Sequence, residues 1–567
     1  IPITFWPSCG STTYCVTPRL TELRRCSAMF LDLANLSAIT IALPTIQENF
    51  NVDVGNLQWM ISAYALTFGG FLLLGGRGGD IFGHRRVLLF GMVFFALFSL
   101  VCALSPTFIG LVIARAFQGI GAAFTIPPAQ AHVALYFTEP AKKAKALGIW
   151  GAAGSLGFII GLILGGVLTA FLGWRWIFWI SLIISALVIP AAYLVLPRPR
   201  SSDRATTPPP SDDEPANAAA DNDAVVPPTA PPPPKKLLHS LRERLIRFDA
   251  VGIALGVPGI LLLTYALTSA NAAGWGTPPI LAPLCVSVAL LACFARHERR
   301  APQAILAPHL FRSASFNVTL LLAVLTYAVR QACTYFLTVQ LQREFGLSAV
   351  ATSARFVPLG VSALVCNTLS GRLVPVLGAR AMFVLGWLLA TPGVALFALT
   401  TPHSSYWRST LPGSVLYIAG IGAVYIAANV VVVSGASRSD QGAAAGVFNV
   451  ALQVGGSVVG LAALTAVGEG VGGGGEGGGE IGVEGYKAVY WACVGLCVVG
   501  LGVSVLAVDV PEGLRGSVWR GKDGGGSGEG AGTGPAAAEG RAESRDGLSV
   551  ASSQHELQPV VRESRER

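Results

Sequence analysis

Gly76-Arg77-Gly78-Gly79-Asp80-Ile81-Phe82-Gly83-His84-Arg85-Arg86 lies between two long apolar runs. One acid, several glycines and a basic pair suit a tight loop between two membrane helices. The glycines let helix ends approach closely. The arginines hold the loop on the cytoplasmic side. Asp80 can accept hydrogen bonds from a helix N-terminus or an arginine, and so act as a latch. The expected gate set is Gly76, Asp80, Gly83, Arg85 and Arg86. A weaker echo runs from Gly371 to Arg380, with Gly371 and Gly378 spaced as Gly76 and Gly83 are. It has Pro375 where the first copy has Asp80. The echo predicts a duplicated membrane unit.

Composition supports this. Of 567 residues, 52% are hydrophobic and only 12% charged, and the mean hydropathy is +0.60. A soluble domain is about a quarter charged, so an all-α polytopic membrane protein is expected. A spanning helix needs roughly 20 apolar residues. About fourteen runs qualify, from 27–47 to 486–508, including a pair at 248–269 and 278–296. The net charge of +8 does not mark a nucleic-acid binder, because the basic residues sit in short loops. One alternating set of loops carries most of them, such as Arg85, Arg86, Lys142, Lys143 and Arg380. The other carries only Arg175, Arg343 and Arg408. The rich set is therefore cytoplasmic, with both termini inside.

The expected organisation is a cytoplasmic N-terminus at 1–25, a first bundle at 26–196 and a Pro- and Asp-rich linker at 197–247. An inserted helix pair at 248–296, a second bundle at 297–508 and a polar tail at 509–567 follow. Linker and tail have compositions that cannot bury a core. The linker's basic end, Lys235–Arg247, reads as a lipid-attachment patch or as a plain positive-inside flank. Gly468–Gly485 is low-complexity and expected outside. Chain position 1 is Ile and no signal peptide is apparent, so a truncated or misannotated start is expected. Cys493 and Cys497, one helical turn apart, read as packing rather than as a metal pair. Cys9 and Cys15 carry no reading.

Several polar residues fall inside apolar runs. Arg115 and Gln118 share one face of the fourth span. An arginine there costs about 2.5–3.5 kcal/mol unless it faces a cavity or a partner, so it is either functional or a clamp on a neighbouring helix. Asp32 in the first span is a proton carrier or an interfacial acid, since low dielectric favours its neutral form. Arg330 and Gln331 sit within the ninth run. The arginine can bind an anionic or carbonyl-bearing substrate, or offset a carboxylate. Asn429, Asn449 and Gln453 line a cavity or bond between helices. Trp174 and Trp176 read as interfacial anchors.

With these residues in view, the chain resembles the major facilitator superfamily. Gly76, Asp80, Gly83, Arg85 and Arg86 match its loop signature G-x-L-x-D-R-x-G-R-R, with Gly78 and Ile81 replacing the usual Leu and Arg. Arg115, Gln118, Gly119, Gly121, Ala122 and Ala123 match R-x-x-Q-G-x-G-A-A. The inserted pair, and fragments such as Arg247-Phe248-Asp249, resemble the fourteen-helix drug:proton antiporter family of fungal, aminotriazole-resistance-like type. The resemblance implies two six-helix bundles rocking about a central site. It also places the helix-5 antiporter motif G-x-x-x-G-P-x-x-G-G on Gly157, Gly161, Gly165 and Gly166. Leu162 stands at the motif proline, so a straighter helix and weaker proton exchange are expected. The family's helix-1 acid aligns with Asn35, and Asp32 lies about one turn earlier.

The expected function is proton-coupled export of small organic compounds from a plasma-membrane monomer, whose partners are lipid, substrate and protons. Transport of a small polar solute such as ammonium or borate is the alternative. A receptor with a signalling tail is a distant third. No phosphate-binding G-x-x-x-x-G-K-[ST] run, metal cluster or nucleophile elbow is present in the sequence. No ATPase, other enzyme, metal or cofactor is therefore expected.

Overall fold

The computed structural model describes residues 18–52, 57, 59–137, 139–195, 249–301, 304–306, 308–400, 405–472 and 482–507. The linker 197–247, half of the Gly468–Gly485 stretch (473–481), Cys9, Cys15 and the tail from 509 lie outside the described residues.

All regular structure described is helical. Hydrocarbon offers no partner to a backbone N–H or C=O, so each span must satisfy its own hydrogen bonds. Among the described residues, fourteen helices are long and apolar enough to cross a membrane, and each coincides with an expected run. The first half holds α1 (Pro18–Phe50), α2 (Trp59–Phe82), α3 (His84–Leu104), α4 (Phe108–Ala123) with α5 (Ile126–Tyr136), α6 (Pro140–Phe171) and α7 (Arg175–Val195). The inserted pair is α8 (Ala250–Ala273) and α9 (Pro278–Glu298). The second half holds α10 (Ala314–Arg343), α11 (Ala349–Leu377), α12 (Ala379–Ala398) and α13 (Thr410–Gly435). It ends with α14 (Gln441–Val450), a π-helical segment Ala451–Gly460, α15 (Leu461–Gly472) and α16 (Val483–Leu506).

The face a helix buries follows its residue sizes. On α3, Phe90, Val93, Leu97, Val101 and Leu104 are exposed, as a lipid-facing stripe requires. Gly91, Met92, Phe95 and Ser99 on the other face are buried. The two halves repeat one packing plan. α1 packs along α6 as α10 packs along the π segment, and α3 packs on α7 as α12 packs on α16. The halves meet along two seams, α2 with α14 and α6 with α11. The inserted pair lies against α2, the π segment and α15. Trp59 stacks on Tyr265 there, with ring centroids 5.8 Å apart. Asp249 caps α8 through Gly252 N–H at 2.9 Å and pairs with His297 of α9 at 2.7 Å.

Two expectations change. The opening stretch is not a loop. Helix α2 continues through Phe82, and Gly83, at φ +97°, is the whole break before α3. Glycines cost a helix about 1 kcal/mol each, but α2 and α14 need their small size to come together. Trp174 is not an interfacial anchor. It is 2% exposed and packs against Phe50 and Phe178, whereas Trp176 is exposed.

Candidate functional site

Three polar groupings lie on or between the halves. The first is at the end bearing Arg85 and Arg86. Asp80 accepts hydrogen bonds from the backbone N–H groups of Gly442 (2.9 Å) and Ala443 (2.7 Å). These belong to the first turn of α14, where a helix has no internal acceptor for its amides and its dipole favours an anion. Gly76 makes the approach possible. A Cβ there would sit 3.0 Å from Gly446 Cα. Arg77 reaches Asp440 at 3.6 Å, and His309 reaches the same carboxylate at 3.2 Å. On the other seam, Gly371 meets Gly148. A Cβ on Gly371 would lie 2.8 Å from Gly148 Cα.

The expected gate set therefore splits. Gly76 and Asp80 touch the second half. Gly83 only breaks the helix. Arg85 donates to the Tyr193 carbonyl within its own half and lies over the Tyr193 ring. Arg86 is exposed. Arg77 and Asp440 are the members that sequence reading missed. Arg77 was hidden as one of the variable positions of the signature.

The second grouping is buried inside the first half. Arg115 is 0% exposed. It donates to Asn35 Oδ1 (2.7 Å), Gln118 Oε1 (2.6 Å) and the Met60 carbonyl (3.3 Å). Asn35 donates on to Ser181 (3.0 Å), and Gln118 to Ser99 (2.7 Å). The Arg115 guanidinium lies 4.3 Å from the centre of the Tyr64 ring, and the Tyr64 hydroxyl donates to Asp32. Five spans thus converge on one arginine. Asp32 is 7% exposed and lines a pocket with Met92, Phe95, Thr125 and Ser185, so it is not an interfacial acid. Tyr64, Ser99 and Ser181 gave no sequence signal, being ordinary residues of apolar spans.

The third grouping joins the halves at mid-depth. Gln130 of α5 donates to Asn429 (2.7 Å) and accepts from Asn449 (2.7 Å). Two expected polar liners are thereby linked by one that was not expected. An amide beside Pro127 and Pro128 in a span was the missed signal. Arg330 of α10 lies with its guanidinium 4.5 Å from the Tyr327 ring centre. Tyr425 is 5.8 Å from Tyr327, centroid to centroid. Gln331 is half-buried and joins none of these groupings. Gln453, in the π segment, abuts Gly69 of α2.

The family model of the Major Facilitator Superfamily matches residues 26–460. The chain belongs to this superfamily. It is 33% identical over 451 residues to the puromycin resistance protein pur8 of Streptomyces alboniger, covering 78% of this chain and 80% of that one. It is 32% identical over 466 residues to the cephamycin export protein CmcT of Amycolatopsis lactamdurans (81% and 87%). It is also 28% identical over 487 residues to the low affinity ammonium transporter of Saccharomyces cerevisiae (85% and 86%).

The superfamily's helix-5 motif falls on α6, which runs unbroken for 32 residues. Gly157, Gly161 and Gly165 press against α1 at Phe30, Ala34 and Ala38. Gly166 does not belong to this contact. The nearest atom to a Cβ there is Ile41 Cγ2 at 4.0 Å, so a side chain would fit. Leu162 is buried in the core and leaves α6 without the break that a proline introduces.

Proposed function

We propose that this chain is an efflux transporter of small organic compounds, working by alternating access and drawing on inward proton flow. The observation that carries the mechanism is the junction at the Arg85–Arg86 end. The halves meet there through glycine backbones, one carboxylate cap and the Arg77–Asp440 pair, which can part without disturbing the packing inside either half. With the basic loops in the cytoplasm and both termini inside, this conformer is closed to the cytoplasm. Relatives named for puromycin resistance and cephamycin export support export as the direction. Asp32 is the proton carrier in this reading. Tyr64 ties its charge state to Arg115, and so to five spans at once. The protein acts as a plasma-membrane monomer, with lipid, substrate and protons as its partners and no catalytic chemistry of its own.

The second reading is transport of a small polar solute such as ammonium or borate; the yeast relative supports ammonium, and the unbroken α6 fits either solute. Purified protein in liposomes with an imposed pH gradient separates the two. Export predicts gradient-driven movement of an amphipathic dye, lost in Arg115→Ala protein that still inserts in the membrane. Ammonium or borate flux with no dye movement would sink the export reading.

A further inference from the structure

Arg115 and Arg330 are both arginines inside spans, but their donors are used differently. Arg115 gives three hydrogen bonds, to Asn35, Gln118 and Met60, and leaves only Nη2 unmade. Arg330 makes no ion pair within 4 Å among the described residues. Its Nε is buried with no hydrogen-bond partner. Two more donors nearby share that condition, the Tyr425 hydroxyl and Asn429 Nδ2. Tyr425 is 7% exposed and Asn429 0%. Tyr425 lies beside the Arg330 charge and within reach of the Asn429 side chain, although neither its hydroxyl nor Asn429 Nδ2 has a hydrogen bond of normal geometry.

The carbonyl oxygens around them already accept from other donors. Asn429 Oδ1 takes the Gln130 amide at 2.7 Å. The Arg330 carbonyl takes Thr334 (2.8 Å) and Tyr417 (3.2 Å). Arginine has five N–H donors and no acceptor. Each buried donor left unmade destabilises the site, and an intramembrane arginine does so most. Such a cluster calls for an acceptor, and a charged one satisfies it best, because a charge-assisted bond is about twice as strong as a neutral one. The walls are aromatic. Tyr327 lies under the guanidinium, and Tyr425 stacks on Phe448 at 6.0 Å and 27°.

We propose that Arg330, Tyr425 and Asn429 form the head-group site of the transported substrate, and that the substrate is an aromatic organic anion. Its carboxylate or phenolate accepts from the three donors, and its ring lies against Tyr327 and Tyr425. This rests on the export reading and narrows it.

The test uses the full chain in liposomes under a pH gradient, with two dyes, anionic fluorescein and cationic ethidium. Wild type is expected to move fluorescein. Arg330→Gln is expected to lower that rate at least tenfold and by a larger factor than any ethidium movement, while Arg330→Lys gives an intermediate rate. Equal fluorescein rates in wild type and Arg330→Gln would overturn the site. Ethidium movement without fluorescein movement in wild type overturns the anion assignment alone, and movement of neither dye overturns the export reading with it. If Arg330→Gln loses both dyes, thermal stabilisation of the wild type decides. Fluorescein must raise the Tm more than ethidium or chloride does, and the reverse order removes the proposal.

Discussion

The stretch Gly76–Arg86 and its echo Gly371–Arg380 occupy equivalent places in the two halves, and most of their geometry is the same. Each ends a helix at a glycine of positive φ, Gly83 at +97° and Gly378 at +86°. Each starts the next helix with an arginine that donates to a carbonyl near the end of its own half's last helix, Arg85 to Tyr193 and Arg380 to Val505. Each sends a glycine against the opposite half, Gly76 to Gly442 and Gly371 to Gly148. The difference is in the charged contacts, for Arg77 also reaches Asp440 across the seam. Asp80 caps α14 across the seam, and Pro375 stays inside α11 with no side chain to cap anything. Duplication thus preserved the packing on both seams, while the charged part of the closure exists on one.

Three measurements break or sharpen that comparison. The largest effect is expected from Gly76→Val and Gly371→Val. Either side chain would enter the opposite backbone, and overpacking of this kind costs about 1–3 kcal/mol. That shifts the closed–open balance by roughly 5–150-fold. Both variants are expected to lose most transport while still folding, and cysteine cross-linking across the seam would report the lost closure. Loss in only one of them would mean that the two seams are not equivalent.

Next is Asp80→Asn. The amide oxygen still accepts one bond, but the charge at the helix end is gone. A loss of about 1.5 kcal/mol, near tenfold in the closed population, is expected in transport rate. Pro375→Ala is expected to change the rate by less than about twofold, because no cap is lost. Similar losses in both would erase the asymmetry. The smallest effect is expected from Arg85→Ala and Arg380→Ala. Each loses one hydrogen bond within its own half, about 1 kcal/mol, and equal small drops in Tm with transport retained would confirm that neither arginine belongs to the gate.

The legible parts of this chain were those set by composition and local spacing. All fourteen spans could be read, since a run of apolar residues can only be a helix in lipid. The latch role of Asp80 could be read as a chemical capacity but not as a contact, because its partners are amides more than 360 residues away. Asp32 and Asn35 looked like alternatives for one helix-1 position. In the structure both join the Arg115 network, one through Tyr64 and one directly. Sequence could place them one turn apart but could not say which neighbouring helix faced each.

The sequence by itself determined the places of the spans, the repeated glycine pattern and the superfamily. Hydrophobic runs, loop charges and glycine spacing act locally along the chain, so they can be read along it. Only the tertiary structure decided how far each intramembrane arginine is satisfied: Arg115 finds acceptors for Nε and Nη1 but not Nη2, and Arg330 finds none for Nε. Arg115 and Arg330 look alike in sequence. Their difference lies in whether helices distant in the chain bring acceptors to them, and burial makes that difference worth kilocalories.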